Sequence, residues 1–200
     1  TGAPVGRIPM KLYGINVFHK ALTAAELTTL FEHVNKPPPA SVVAPDITNI
    51  RMALDTTQID ENTIYDVSSA GNHVTVVNNT DGGLAVGEDA DGKYIEFDGE
   101  NTLTNGTHMR LDPNLLGTTE FTFDIVFKIK EGHRYFQNDV VYVATGATGD
   151  NNLYCMHTGV EADQTKLRFS FGDTTQYNKG YQWVHTETLY RHTWVYGNGQ

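Results

Sequence analysis

The chain has 200 residues, of which 39% are hydrophobic and 10% aromatic, and it carries a formal net charge of −10. That apolar content suffices for one full core and a fragment of another. The acidity excludes nucleic acid and anionic lipid surfaces as partners, and no apolar run is long enough to cross a membrane as a helix, so membrane insertion is not expected.

Met10–Phe18 reads as a strand. Thr23 then caps a short helix, with Glu26 placed to reach back to the Thr23 amide as a capping box, and Leu27, Leu30, Phe31 and Val34 form an apolar stripe at helical spacing. Pro37-Pro38-Pro39 stops the helix and begins a stiff linker over residues 37–45. Residues 1–36 are too few to bury their own apolar face and need other protein to pack on. No secretory leader opens the chain, and because its first residues read as mid-domain, export stays open.

From Asp46 onward, strands alternate with Gly, Asn and Asp. Ile50–Leu54 is followed by a polar turn, Tyr65–His73, that leads into Val74–Val77. After a Gly- and Asp-rich loop come Lys93–Phe97 and Thr107–Leu111. Glu120–Lys130 is the clearest strand: Phe121, Phe123, Ile125, Phe127 and Ile129 share one face, with Thr122, Asp124, Val126 and Lys128 on the other. At about 1.5–3 kcal/mol per fully buried side chain, the first face should be a major part of the core. Asp139–Thr145, Asn152–Thr158 and Lys166–Phe171 continue the series, with Leu167, Phe169 and Phe171 alternating inward. Cys155, the only cysteine, cannot form an intrachain disulfide and reads as a small buried hydrophobe. Trp183 and Trp194 lie in the last two strands, and Gly197–Gln200 looks like a hairpin turn. The pattern predicts an all-β fold, an antiparallel β-sandwich with one short N-terminal helix.

Six stretches carry a family resemblance. "MALD", "YDVSSAGNHVTV" (with Ala70 inserted before the glycine), "KYIEFDGENTL", "EFTFDIVFKI" and "RHTWVYGNGQ" follow the order found in laminin-G-like domains, members of the concanavalin A-like jelly-roll family. "ALTAAEL", at residues 21–27, resembles the closing segment of such domains, yet here it lies near the start. The resemblance implies that residues 1–36 are the C-terminal strand and helix of a laminin-G-like domain. Residues 37–45 are then a Pro-rich linker, and 46–200 a jelly-roll domain lacking its last strands. Either the chain is cut from a tandem array, or the domain is permuted or completed in trans, with residues 1–36 of one copy finishing its neighbour. The resemblance further implies carbohydrate or protein ligands, calcium as an accompanying ion, and an extracellular, cell-surface or virion location.

Three carboxylates, Glu96, Asp98 and Glu100, alternate in a way that resembles the catalytic strand of retaining β-glucanases sharing the sandwich fold. Retention needs two carboxyls about 5–5.5 Å apart. The Asp98-Gly99 pair is a turn signal, and a turn there takes Glu100 off the shared face. A glycoside hydrolase is therefore the lesser reading, and the chain is not expected to be an enzyme. Glu88, Asp89 and Asp91 cluster in a Gly-flanked loop suited to calcium or else forming a solvated acidic hairpin, and Asp66 and Asp98 occupy family turns where a carboxylate binds calcium or fixes the loop. The eight histidines show no metal spacing, and His185 and His192 read as surface residues. Tyr135, Phe136, Tyr177, Tyr181 and Trp183, with Asn178 and Gln182, supply the flat rings and amides of a sugar platform, or else pack at a sandwich rim. The stretch Tyr177–Tyr181 is the best candidate for a ligand loop. Asn78 and Asn105 begin glycosylation triplets. The leading expectation is a non-catalytic binding or adhesion module. The alternative is a structural subunit of a filament, appendage or virion assembled by strand complementation.

Overall fold

A computed structural model describes residues 10–34, 44–77, 84–97, 108–110, 115, 120–130, 138–144, 152–161, 164–171, 180–185 and 187–197, with the backbone alone from 138 to 185. These residues are mostly β-strand, with one helix, and every strand pairing is antiparallel. The first strand, β1 (Met10–Phe18), leads into α1 (Ala24–Val34), whose start carries the expected capping box: the Thr23 amide donates to Glu26 at 3.0 Å and the Glu26 amide returns to the Thr23 hydroxyl at 3.3 Å.

The largest sheet has six strands. Its path runs from β13 (Tyr190–Tyr196) through β8 (Phe121–Ile129), β1 and β6 (Gly92–Phe97) to β5 (Leu84–Asp89), with β2 (Ile50–Ala53) beside β1. On one side β1 pairs with β8 along its length, from Met10↔Ile129 to Phe18↔Thr122. On the other side β6 takes Met10 to Leu12 and β2 takes Asn16 to Phe18. The β1–β8 register shifts between Leu12 and Gly14. Met10 and Leu12, then Ile15 and Val17, are two apart, but Leu12 and Ile15 are three apart. One extra residue in the ladder keeps all four on the same face, which is what a bulge accomplishes. β1 thus lies in the middle of the sheet, between β8 on one side and β6 and β2 on the other.

Sequence periodicity did not mark β5 or β3 (Thr63–Ile64) as strands. β5 lies in the stretch read as a Gly- and Asp-rich loop, and forms a hairpin with β6 through Ala90-Asp91. Gly92 follows the turn at φ 122°, a conformation that L side chains rarely adopt. β3 pairs with β4 (Val74–Val77), and β4 with β7 (His108–Arg110), to form a three-stranded sheet. Ile64, Val74 and Val76 join Leu12, Ile15, Val17, Ile95 and the odd-numbered residues of β8 in one core cluster. A four-stranded sheet is built in the order β12 (Gly180–His185), β11 (Gln164–Phe171), β10 (Asn152–Glu161), β9 (Asn138–Ala144).

The apolar face of β8 is buried as expected, and β13 extends it with rings: Trp194 stacks on Phe123 at 5.2 Å and Tyr196 on Phe121 at 5.3 Å. The other face is not the solvated one that its polar residues suggest. Thr122, Asp124 and Lys128 are buried along with Val126. Part of the cover is α1, whose Leu30 packs with Phe18, Leu22 and Ile47 in a second cluster. The Thr122 hydroxyl fastens the approach to the helix, donating to the Lys20 carbonyl at 2.9 Å and accepting from the Leu22 amide at 3.0 Å. Of the expected helical stripe Leu30 is fully buried, whereas Phe31 is 40% exposed beneath the Arg191 guanidinium.

Candidate functional site

The outer face of the six-stranded sheet carries two carboxylate centres. Asp124, with its side chain fully buried, receives both arms of Arg191 at 2.7 and 2.8 Å, the Thr193 hydroxyl at 2.6 Å and the Asn16 amide at 3.1 Å. Arg191 uses its remaining nitrogen to reach the Leu30 carbonyl of α1 at 3.1 Å. Strand register explains the meeting: Asn16, Asp124 and Thr193 are directly opposite one another on adjacent strands. A bidentate guanidinium leaves this carboxylate saturated with donors, so its role is to hold strands and helix together.

Asp89 is the second centre. It accepts from the Tyr13 hydroxyl at 2.7 Å and from Lys11 and Lys128 at 3.1 Å each, while Lys128 also pairs with Asp91. Burial works to raise the Asp89 carboxyl, but donation from Tyr13, the Asp91 amide, Lys11 and Lys128 outweighs it and holds the group well below the usual carboxylate range. Burial likewise works to lower both lysines, and their carboxylate partners raise them instead. Burial, reinforced by the bond to Asp89, pushes the Tyr13 hydroxyl well above its ordinary value. The Tyr94 ring lies 5.4 Å from that of Tyr13 and lies across Gly87, where a Cβ would come within 2.5 Å of it. Gly87 is therefore what lets the Tyr94 ring lie against the hairpin backbone.

These contacts show where several expected site residues fall. Asp89 and Asp91, expected in a calcium loop, face ammonium groups. Glu88 is exposed, opposite Lys93 in the hairpin. Asp66 is buried and organises its turn, accepting from the amides of Ala53, Ser68 and Asn72 and from the Ser68 hydroxyl. Among the described residues no group of three or more His, Cys, Asp or Glu is arranged to hold a metal ion. Glu96 of β6 is paired with Lys130. Asp98, Glu100, Tyr135, Phe136, Tyr177, Asn178, Asn78 and Asn105 lie outside the described residues. His192, read as a surface residue, is 8% exposed and sits on the inner face, its ring 5.8 Å from that of Phe127. It lies at a core-facing position of β13, opposite Ile125. Burial lowers its pKa, with the charge of Asp124 acting in the opposite direction.

Tyr181 and Trp183 occupy alternate positions of β12, hence one face of the four-stranded sheet. Across the ladder Tyr181 is opposite Arg168 and Trp183 is opposite Lys166. Arg168 is in turn opposite His157, and His157 opposite Asp139. The other face carries Leu167, Phe169, Met156, Val141 and Val184 at its register positions. Sequence reading picked out the two rings but not their basic neighbours, which are remote in sequence and become adjacent only through strand pairing.

The chain matches no protein-family model, and neither a curated protein nor a solved structure shows significant similarity to it.

Proposed function

We propose that this chain is a non-catalytic binding module of the concanavalin A-like jelly-roll kind, presented outside the cell, on a cell surface or on a virion, with a carbohydrate as its ligand. The observation that carries the reading is the placement of Tyr181 and Trp183, two residues with flat rings, at alternate positions and so on one face of an antiparallel strand. Glu96, the first carboxylate of the lesser hydrolase reading, is paired with Lys130. A glycan array probed with the full chain tests this reading. Binding that is lost in Trp183→Ala and Tyr181→Ala is the expected result. Turnover of β-glucan that disappears in Glu96→Gln would replace it with the hydrolase.

A second reading, a structural subunit assembled by strand complementation, draws on the position of β1. A strand near the start of the chain, held between β8 on one side and β6 and β2 on the other, is equally complementary to the same slot in a neighbouring copy. Light scattering on the full chain across a concentration series separates the two. Growth of the mass with concentration favours assembly, and a constant monomer mass removes it.

A further inference from the structure

Resting on the carbohydrate-binding reading, we infer that the ligand is an acidic glycan, held on the face of the four-stranded sheet where Tyr181 and Trp183 are paired in register with Arg168 and Lys166. Directly opposite residues of an antiparallel pair lie on the same face, with Cβ atoms about 4.5–5.5 Å apart. The register therefore places an aromatic residue beside a cationic one twice in succession: Tyr181 with Arg168, then Trp183 with Lys166. His157 extends the first row onto β10.

Each residue type has a distinct use toward such a ligand. A ring face accepts the C–H face of a pyranose without regard to its charge. A guanidinium binds a carboxylate or sulfate through two parallel hydrogen bonds, and an ammonium binds it as a point charge. A uronate or sulfated sugar uses the ring and the cation together, whereas a neutral sugar uses the ring alone. The two cations stand out in a chain whose net charge is −10. Acidic residues do occur on the same face, Asp139 of β9 opposite His157 and Glu161 of β10 opposite Gln164, one row from Lys166, but neither is directly opposite Arg168 or Lys166, whose β10 partners are His157 and Gly159. The face is also polar in composition where its reverse is largely apolar. Aromatic and basic residues together also suit single-stranded nucleic acid, which is therefore one of the probes in the test.

The test is a binding panel with the full chain: oligogalacturonate and a sulfated oligosaccharide as acidic probes, cello-oligosaccharide as the neutral probe, and single-stranded DNA as a polyanion without sugar-ring stacking faces of that kind. The expected result is binding to one or both acidic probes that weakens with added salt. Arg168→Gln or Lys166→Gln should weaken it by about tenfold or more, the loss expected for one charge-assisted contact. Trp183→Ala should weaken acidic and neutral sugars alike. The two acidic probes distinguish carboxylate from sulfate as the group recognised. Equal binding of cello-oligosaccharide, unaffected by Arg168→Gln and Lys166→Gln, overturns the acidic specificity and leaves the carbohydrate-binding reading intact. Binding to DNA with no binding to any glycan overturns both, as does an entirely silent panel. Far-ultraviolet circular dichroism of each variant identifies any that fail to fold, and the more conservative Arg168→Lys then replaces Arg168→Gln, with a partial loss expected and no loss counting against the proposal.

Discussion

The two faces of β8, within the six-stranded sheet, are both buried, yet the two sides of that sheet are held by different physics. On the inner face Phe121, Phe123, Ile125, Phe127 and Ile129 meet Leu12, Ile15 and Val17, and the stabilisation comes from apolar area, which has no direction. On the outer face Asp124 meets Arg191, Thr193 and Asn16, and Asp89 meets Tyr13, Lys11 and Lys128. Those contacts are directional and expensive to misplace, because a buried carboxylate without its partners costs more than a shifted methyl group. The comparison teaches a division of labour. The inner face supplies cohesion, and the outer face specifies which strand lies beside which and where α1 comes to rest.

The largest effect should come from the inner face. Phe127→Ala removes a fully buried ring and should lower unfolding free energy by about 3–5 kcal/mol in urea titration. Next is the outer face. Arg191→Met leaves Asp124 buried without its counter-charge and should cost about 3 kcal/mol. Adding Asp124→Leu to Arg191→Met should recover much of that stability, since the stranded charge is gone. The amides of α1 should nevertheless exchange faster than in the parent chain, because the Leu30 carbonyl has lost its donor. If the double variant regained the full exchange protection of the helix, the outer face would not be specifying the helix position.

The inner face was legible in the sequence because period-two alternation of large apolar residues has one simple solution. The strands from β8 to β11 were recovered within a residue or a few at each end, and β12 and β13 were placed by Trp183 and Trp194 without bounds. The outer face was not legible. Thr122, Asp124 and Lys128 alternate as solvated residues would, and their burial depends on partners as remote as Arg191 and Asp89. The bulge in β1 left a trace, the three-residue step from Leu12 to Ile15, but a trace that acquires meaning only once β8 is alongside. β5 was missed because Gly87, Glu88 and Asp89 favour turns locally, and the Tyr94 ring lying across Gly87 is a tertiary fact. The Asp66 turn was readable as a carboxylate fixing its own loop, since all its donors are within a short stretch of sequence or on the adjoining strand. For the β11–β12 face, half the information was visible: the rings of Tyr181 and Trp183, without the cations that strand pairing sets beside them.

Smaller effects separate local from tertiary contributions. Thr23→Ala removes one half of the capping box and should cost about 1 kcal/mol. Because Leu30 and Arg191 still hold the helix, the loss should show as fraying of its first turn, seen in amide exchange at Glu26 and Leu27. Glu26 itself, held down at about 2 by Lys20 and the Thr23 amide, adds stability that is complete above its unfolded value near 4.5 and is lost as pH falls toward 2.

His192 gives the finest test of the inner face, because it places a titratable ring within an apolar layer. Its folded pKa is lowered, so between that value and the unfolded value near 6.5 the unfolded chain binds the extra proton. Stability that is complete above about pH 6.5 should therefore decline as the pH falls below it, the reverse of what a histidine gaining an acidic partner would show. The measurement is the urea midpoint at steps from pH 7.5 to 5, for the parent chain and for His192→Gln. The decline should be shallower in the variant, with the seven remaining of the eight histidines supplying whatever slope persists. An unchanged slope would mean that the inner face at Ile125 and Phe127 admits water or an anionic partner to the ring on protonation, and that the contrast between a dry inner face and an ionic outer face fails at this edge of the sheet.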